Sequence, residues 1–127
     1  MTENELGTIV VESAIAVHRE LGPGLLETVY EVALAYELKQ RGLKAERQVP
    51  VPIKYKGIRF EEGFRADIFV GDKVILELKS AEKTTAAHRK QIQTYVRLAE
   101  RKLGYLLNFG KAVMKDGITR AVNGLEE

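Results

Sequence analysis

Apolar positions recur at helical spacing through Leu6, Ile9, Val10, Ala14, Val17 and Leu21, which predicts an amphipathic helix. Thr2 and Glu5 have capping-box spacing, so this helix starts near Glu3, and Gly22-Pro23-Gly24 stops it. A second helical pattern runs from about Leu25 to Arg41. Its buried side is read as Leu26, Val29, Ala33 and Tyr36, with Gly42 as its end. The residues then turn to strand formers: Val49, Val51, Ile53, Tyr55, Ile58 and Phe60, then Phe64 to Val70, then Val74 to Leu78. Pro50 and Pro52 mark an edge or an irregular entry. Gly57 and Glu61-Glu62-Gly63 read as turns, and Gly71-Asp72-Lys73 as a hairpin connection. A third helix is predicted from about Thr84 or Thr85 to Arg101 or Lys102, with Ala87, Ile92, Tyr95, Val96 and Ala99 inward. Gly104 opens a last apolar strand, Tyr105 to Phe109, and the tail through Val113, Ile118 and Val122 is suited to a further short strand. The order α-α-β-β-β-β-α-β describes one sheet flanked by helices, an α/β or α+β domain.

The chain has 127 residues, the size of one domain spanning 1–127. Lys and Arg number 20 against 18 Asp and Glu, a net charge of +2. That balance neither requires nor excludes a nucleic-acid partner. The absence of cysteine removes disulfides, thiolate zinc sites, iron–sulfur clusters and cysteine nucleophiles. Only His18 and His88 are available as imidazoles, which argues against a multi-histidine metal site. No apolar run approaches the ~18 residues of a membrane span, so no membrane association is expected. The acidic start, Met-Thr-Glu-Asn-Glu, is unlike a signal peptide, and a cytoplasmic location is the expectation.

The chemistry is concentrated in Phe64-Arg65-Ala66-Asp67-Ile68-Phe69-Val70 and Val74-Ile75-Leu76-Glu77-Leu78-Lys79. Acids are depleted from strands, yet each of these apolar strands carries one. Glu77 and Lys79 are two apart and so share a face, as do Arg65, Asp67 and Phe69. If the loop is Gly71 to Lys73, Val70 pairs with Val74 and Asp67 then faces Glu77, with Cβ atoms ~5 Å apart. Two facing carboxylates repel unless a proton or cation lies between them, and oxygen donors on a half-open face suit Mg²⁺ or Mn²⁺. Taken alone, the trio also fits a solvated sheet face with a Glu–Lys pair.

Asp67 followed by Glu77-Leu78-Lys79 on the next strand resembles the D…(E)xK core of the PD-(D/E)XK nuclease superfamily, with Ala66 where that pattern has proline. Upstream, Gly24-Leu25-Leu26-Glu27-Thr28-Val29-Tyr30 reads G-x-x-E-x-x-Y. Downstream, Gly104-Tyr105-Leu106-Leu107-Asn108-Phe109-Gly110 reads G-x-L-x-N-F-G. Together, from about Glu12 to Gly110, these resemble the GxxExxY protein family, a small branch of that superfamily. The resemblance implies a restriction-endonuclease-like core, a central mixed sheet flanked by helices. It also implies divalent-metal-dependent hydrolysis of phosphodiester bonds in nucleic acid, with DNA the expected substrate.

By the same resemblance, Asp67, Glu77 and Lys79 are the catalytic set. Asp67, Glu77, Glu27 and the Leu78 carbonyl are the metal donors. Lys79 would position the attacking water. Gln91 and Tyr95, four apart, resemble a Q-x-x-x-Y motif that lies near the metal site and contacts DNA. Tyr30, facing the same way as Glu27, and Lys90 on the basic third helix join them as expected substrate contacts. Lys83, Arg89, Lys90, Arg97, Arg101 and Lys102 make that helix basic, and Arg97, Arg101 and Lys102 are read as solvated. The alternative function is a catalytically weak or inactive nuclease-fold module that binds nucleic acid or regulates. A homodimer is an expected option on general grounds.

Overall fold

In a computed structural model, which describes residues 1–126, the capping box is formed. Thr2 N donates to Glu5 Oε1 at 2.8 Å and Glu5 N donates to Thr2 Oγ1 at 3.1 Å. Helix α1 spans Glu3–Leu21, and α2 spans Glu27–Gln40. Strands β1 (Ala45–Tyr55), β2 (Ile58–Val70) and β3 (Val74–Lys79) follow. Helix α3 (Ala86–Leu98) crosses over to β4 (Leu103–Asn108), and a 3₁₀ turn (Met114–Gly117) leads to β5 (Ile118–Val122). The five-stranded sheet runs in the order β1-β2-β3-β4-β5. Neighbours are antiparallel except β3 and β4, which are parallel, as a helical crossover requires.

Strand alternation divides the core in two. Val74, Leu76 and Leu78 of β3 with Leu103, Tyr105 and Leu107 of β4 pack under α1 and α2. Ile75 and Leu106 pack under Ile92, Val96 and Ala99. Glu77 and Lys79, in step with Ile75, therefore face the α3 side.

Three expectations are corrected. Glu61-Glu62-Gly63 is not a turn: β2 runs unbroken through it, so three strands precede α3 instead of four. Gly63 is there because a Cβ would collide with the Ile53 side chain across the ladder. The turn is Lys56-Gly57, both with positive φ, the geometry that suits the twist of a two-residue hairpin. On α2, the buried side is Tyr30, Glu31, Leu34, Ala35 and Leu38. Leu26, Val29 and Tyr36 are exposed and Ala33 is only partly buried. The helix is apolar on both sides, and periodicity cannot choose between two such faces. On α3, Ala87 is exposed and the helix stops at Leu98.

Tyr30 ties the two flanking motifs together. Its ring stacks on Phe109 with centroids 4.5 Å apart and 13° between planes. Its hydroxyl donates to Gly22 O and accepts from Leu25 N at 3.0 Å. Gly110 follows because a Cβ there would overlap the Ala81 backbone. Tyr30→Phe keeps the stack and loses both hydrogen bonds, so it should cost about 1–2 kcal/mol in urea denaturation. An unchanged midpoint would show that the hydroxyl does not hold this loop.

Candidate active site

The β2–β3 ladder pairs Val70 with Val74, Phe69 with Ile75 and Ile68 with Leu76, then stops. This is the register expected from the Gly71–Lys73 loop. One step further the strands part, and the Asp67 carboxylate fills the gap: Oδ2 accepts from Leu78 N at 2.8 Å. The acid thus replaces a ladder bond and is held toward β3. On its other side, Gln48 Nε2 lies 3.5 Å from Asp67 Oδ1 and donates to Glu31 Oε1 at 2.7 Å. Gln48 has φ of 54°, an αL conformation uncommon outside glycine and asparagine, and it sits opposite Asp67 where the β1–β2 pairing skips a step. Buried Glu31 is also gripped by Arg47 at 2.7 Å. Sequence reading missed Gln48 and Glu31, because no local pattern marks a glutamine that leaves the strand conformation.

Glu77 is 8% exposed. Burial first, then the Asp67 charge and a hydrogen bond with Asp67, push its pKa up to about 8. Lys79 opposes that rise, and its Nζ lies 4.0 Å from Glu77 Oε1. Glu27, the first residue of α2, adds to the rise. Its own side chain is exposed. Ser80 Oγ donates to Leu25 O, which fixes the start of α2 beside the end of β3.

From α3, Tyr95 stacks on Phe64 with centroids 3.9 Å apart and 6° between planes. Burial raises the Tyr95 pKa, and the charges of Glu77 and Asp67 raise it further, so its phenol lies within their field. Two buried side-chain oxygens have no hydrogen-bond partner among the described residues: Glu77 Oε2 and Gln91 Oε1. The first belongs to the acid pair, and the second lies on α3 four residues before Tyr95.

The predicted residues divide accordingly. Asp67, Glu77, Lys79 and Tyr95 come together, and Gln91 turns a buried acceptor inward from the helix that carries Tyr95. Tyr30 does not join them as a substrate contact: it is fully buried with its hydroxyl engaged. Lys90 is exposed on α3, and the Leu78 side chain is core while its N–H anchors Asp67. His88 closes the α3 capping box with Thr85. Asn108, fully buried, accepts from Ala81 N and Gly110 N and donates to Thr84 Oγ1. It moulds the loop that delivers α3. Arg101 is not free solvated charge, since it donates to Asp72 O and lies over the Phe69 ring.

No three Asp, Glu or His side chains among the described residues form a group that could hold an ion by themselves. Glu27 therefore stands outside a side-chain cage. What fits a hard cation is the oxygen-only donor set: the facing carboxylates of Asp67 and Glu77, with the buried Glu77 Oε2 left without a donor, to which backbone carbonyl or water oxygen can be added.

The profile of the PD-(D/E)XK nuclease superfamily matches residues 4–121. The chain belongs to the PD-(D/E)XK nuclease superfamily. As a PD-(D/E)XK chain it has the mixed sheet and flanking helices of a restriction-endonuclease-like fold. Among solved structures it is similar to the crystal structure of SSO0001, with a TM-score of 0.53 and 22% identity, over 79% of this chain and 52% of that one. That likeness concerns the fold, and the chain spans about half the length of its solved counterpart. A search of curated proteins gave no significant match. No helix among the described residues is long and apolar enough to cross a membrane.

Proposed function

We propose that this superfamily member is a divalent-metal-dependent nuclease of the GxxExxY type, hydrolysing phosphodiester bonds in DNA. The observation that carries this reading is the meeting of Asp67 and Glu77 on one sheet face, with the buried oxygens Glu77 Oε2 and Gln91 Oε1 left without donors.

Mg²⁺ or Mn²⁺ held by Asp67 and Glu77, with the Leu78 carbonyl as a supporting donor and Glu27 adding negative charge at the edge of the site, would supply the positive charge that offsets negative charge growing on the phosphate. The chain's own residues do the rest. Leu78 N–H and Gln48 hold the Asp67 carboxylate in place before substrate arrives, so little reorganisation is needed at the moment of reaction. The Lys79 ammonium orients an attacking water by hydrogen bonding and balances part of the acid pair's charge. Gln91 and the half-buried Tyr95–Phe64 stack form the wall of the site, where a nucleobase could lie against an aromatic face.

The direction of the bound strand is suggested by a cleft between the β1–β2 arm and the end of α3. Lys54, Arg59 and Arg97 line it, together with Glu100, and Arg59 is engaged by Glu61 at 2.8 Å. A phosphate backbone seated there gains sequence-independent attraction through counterion release. Lys54→Ala with Arg97→Ala should weaken DNA binding at 50 mM salt and flatten the salt dependence by about 1.8 logarithmic units per unit of log salt. Fluorescence anisotropy across salt concentrations reads this. An unchanged slope would remove the cleft from the DNA path.

The test of the reading itself is cleavage of single-stranded and plasmid DNA by the purified protein with Mg²⁺, with Mn²⁺ and with EDTA. Cutting that needs the ion is expected. Tight DNA binding with no cutting under any divalent ion would establish the binding-module alternative instead.

A further inference from the structure

Helix α2 is apolar on the side that turns away from the sheet. Leu21 at the end of α1, Leu25 and Leu26 in the loop before α2, and Val29, Val32 and Tyr36 along α2 are 38–77% exposed, and Leu21, Val29, Val32 and Tyr36 line one groove. Val29, Val32 and Tyr36 follow the spacing of a helix-packing stripe, and a groove along them exposes no polar surface. A helix apolar on both sides is ordinarily covered on both. These six side chains present on the order of 500 Å² to water, at the upper end for the largest patch of a monomer. Phosphate chemistry does not explain the patch, because the groove carries no charged side chain.

We infer that this face joins two copies of the chain, α2 against α2 in antiparallel fashion about a two-fold axis. The pattern is self-complementary. An axis between Val32 and Ala33 sets Val29 against the partner's Tyr36 and Val32 against the partner's Ala33, whose small side chain permits close approach. The charges select the antiparallel sense. In the antiparallel sense the N-terminus of each α2 lies beside the partner's C-terminal turn, which carries Lys39, so the opposed helix dipoles attract. The parallel sense would place like ends together. Two copies would remove on the order of 1,000 Å² from water, the lower bound of a specific interface. Pairing by one shared patch closes at two subunits. Because Glu27 lies at one end of the stripe, the two acid pairs would sit at opposite ends of the helix pair, separated by about 20 Å of helix.

Sedimentation equilibrium of the full chain tests this at micromolar concentration, and its readout does not depend on catalysis. Wild type should have twice the monomer mass. Val32→Lys and Tyr36→Lys, each at an exposed position, should give the monomer mass with the circular dichroism of a folded chain. The chain has no cysteine, so Val32→Cys reports directly: placed beside the axis, it should form an intermolecular disulfide under mild oxidation, while Arg89→Cys on exposed α3 should not. A wild type that remains monomeric overturns the inference and leaves the face to an unrelated protein. A dimer untouched by Val32→Lys and not cross-linked through Val32→Cys overturns it equally.

Discussion

Asp67→Asn is expected to lower metal-dependent DNA cleavage by about three orders of magnitude, close to 4 kcal/mol of transition-state stabilisation. The substitution keeps the side chain's shape. An asparagine oxygen can still accept from Leu78 N, the bond that Asp67 makes at 2.8 Å, so the strand ends should stay in place. What disappears is the carboxylate charge that faces Glu77 and would bind the ion. Lys79→Ala should give a comparable loss by another route. The ammonium that lies 4.0 Å from Glu77 is no longer there to orient water, but the acid pair remains. Single-turnover cleavage together with Mn²⁺-dependent thermal shifts separates the two: Asp67→Asn should lose both cleavage and the shift, and Lys79→Ala only cleavage. Full activity in Asp67→Asn would remove this carboxylate from the chemistry.

The second large effect concerns stability. Burial and the Asp67 charge push the Glu77 pKa up to about 8, whereas an unfolded glutamate titrates near 4.3. Between these values the folded chain retains a proton that the unfolded chain has released. Stability therefore falls as pH rises through this window, and the penalty is complete above about pH 8. In EDTA, Glu77→Gln, a mimic of the protonated acid, should match wild type near pH 4.5. At pH 8.5 it should exceed wild type by a few kcal/mol. Adding Mn²⁺ at pH 8.5 should reverse the order, since only the carboxylate gains from the ion. Urea denaturation at the two pH values measures the difference directly. If the gap between wild type and Glu77→Gln does not change with pH, Glu77 is not held in a charge-averse environment.

Much of the site was legible because strand alternation is local. Glu77 and Lys79 are two residues apart, and the length of the Gly71–Lys73 loop sets a register that brings Asp67 beside Glu77. The motif residues Tyr30 and Phe109 were also legible as a pair of signals, but not as a contact. The sequence suggested Tyr30 as a substrate residue, and only the stack on Phe109 and the hydroxyl's bonds to Gly22 and Leu25 reveal a structural pin. Gln48 was invisible. Its importance depends on a backbone excursion opposite Asp67 and on Glu31 arriving from α2.

The sequence by itself determined the three helices and the strand-rich stretch between the second and third, both ends of α1, the hairpin register and the shared face of Glu77 and Lys79. Each of these follows from short-range periodicity, capping or turn length. The tertiary structure alone decided which side of α2 is buried, that Glu61 to Gly63 continues a strand, and that Gln48 and Glu31 stand behind Asp67. Those outcomes depend on which surfaces compete for the same core, a competition between segments far apart in the chain that no local pattern encodes.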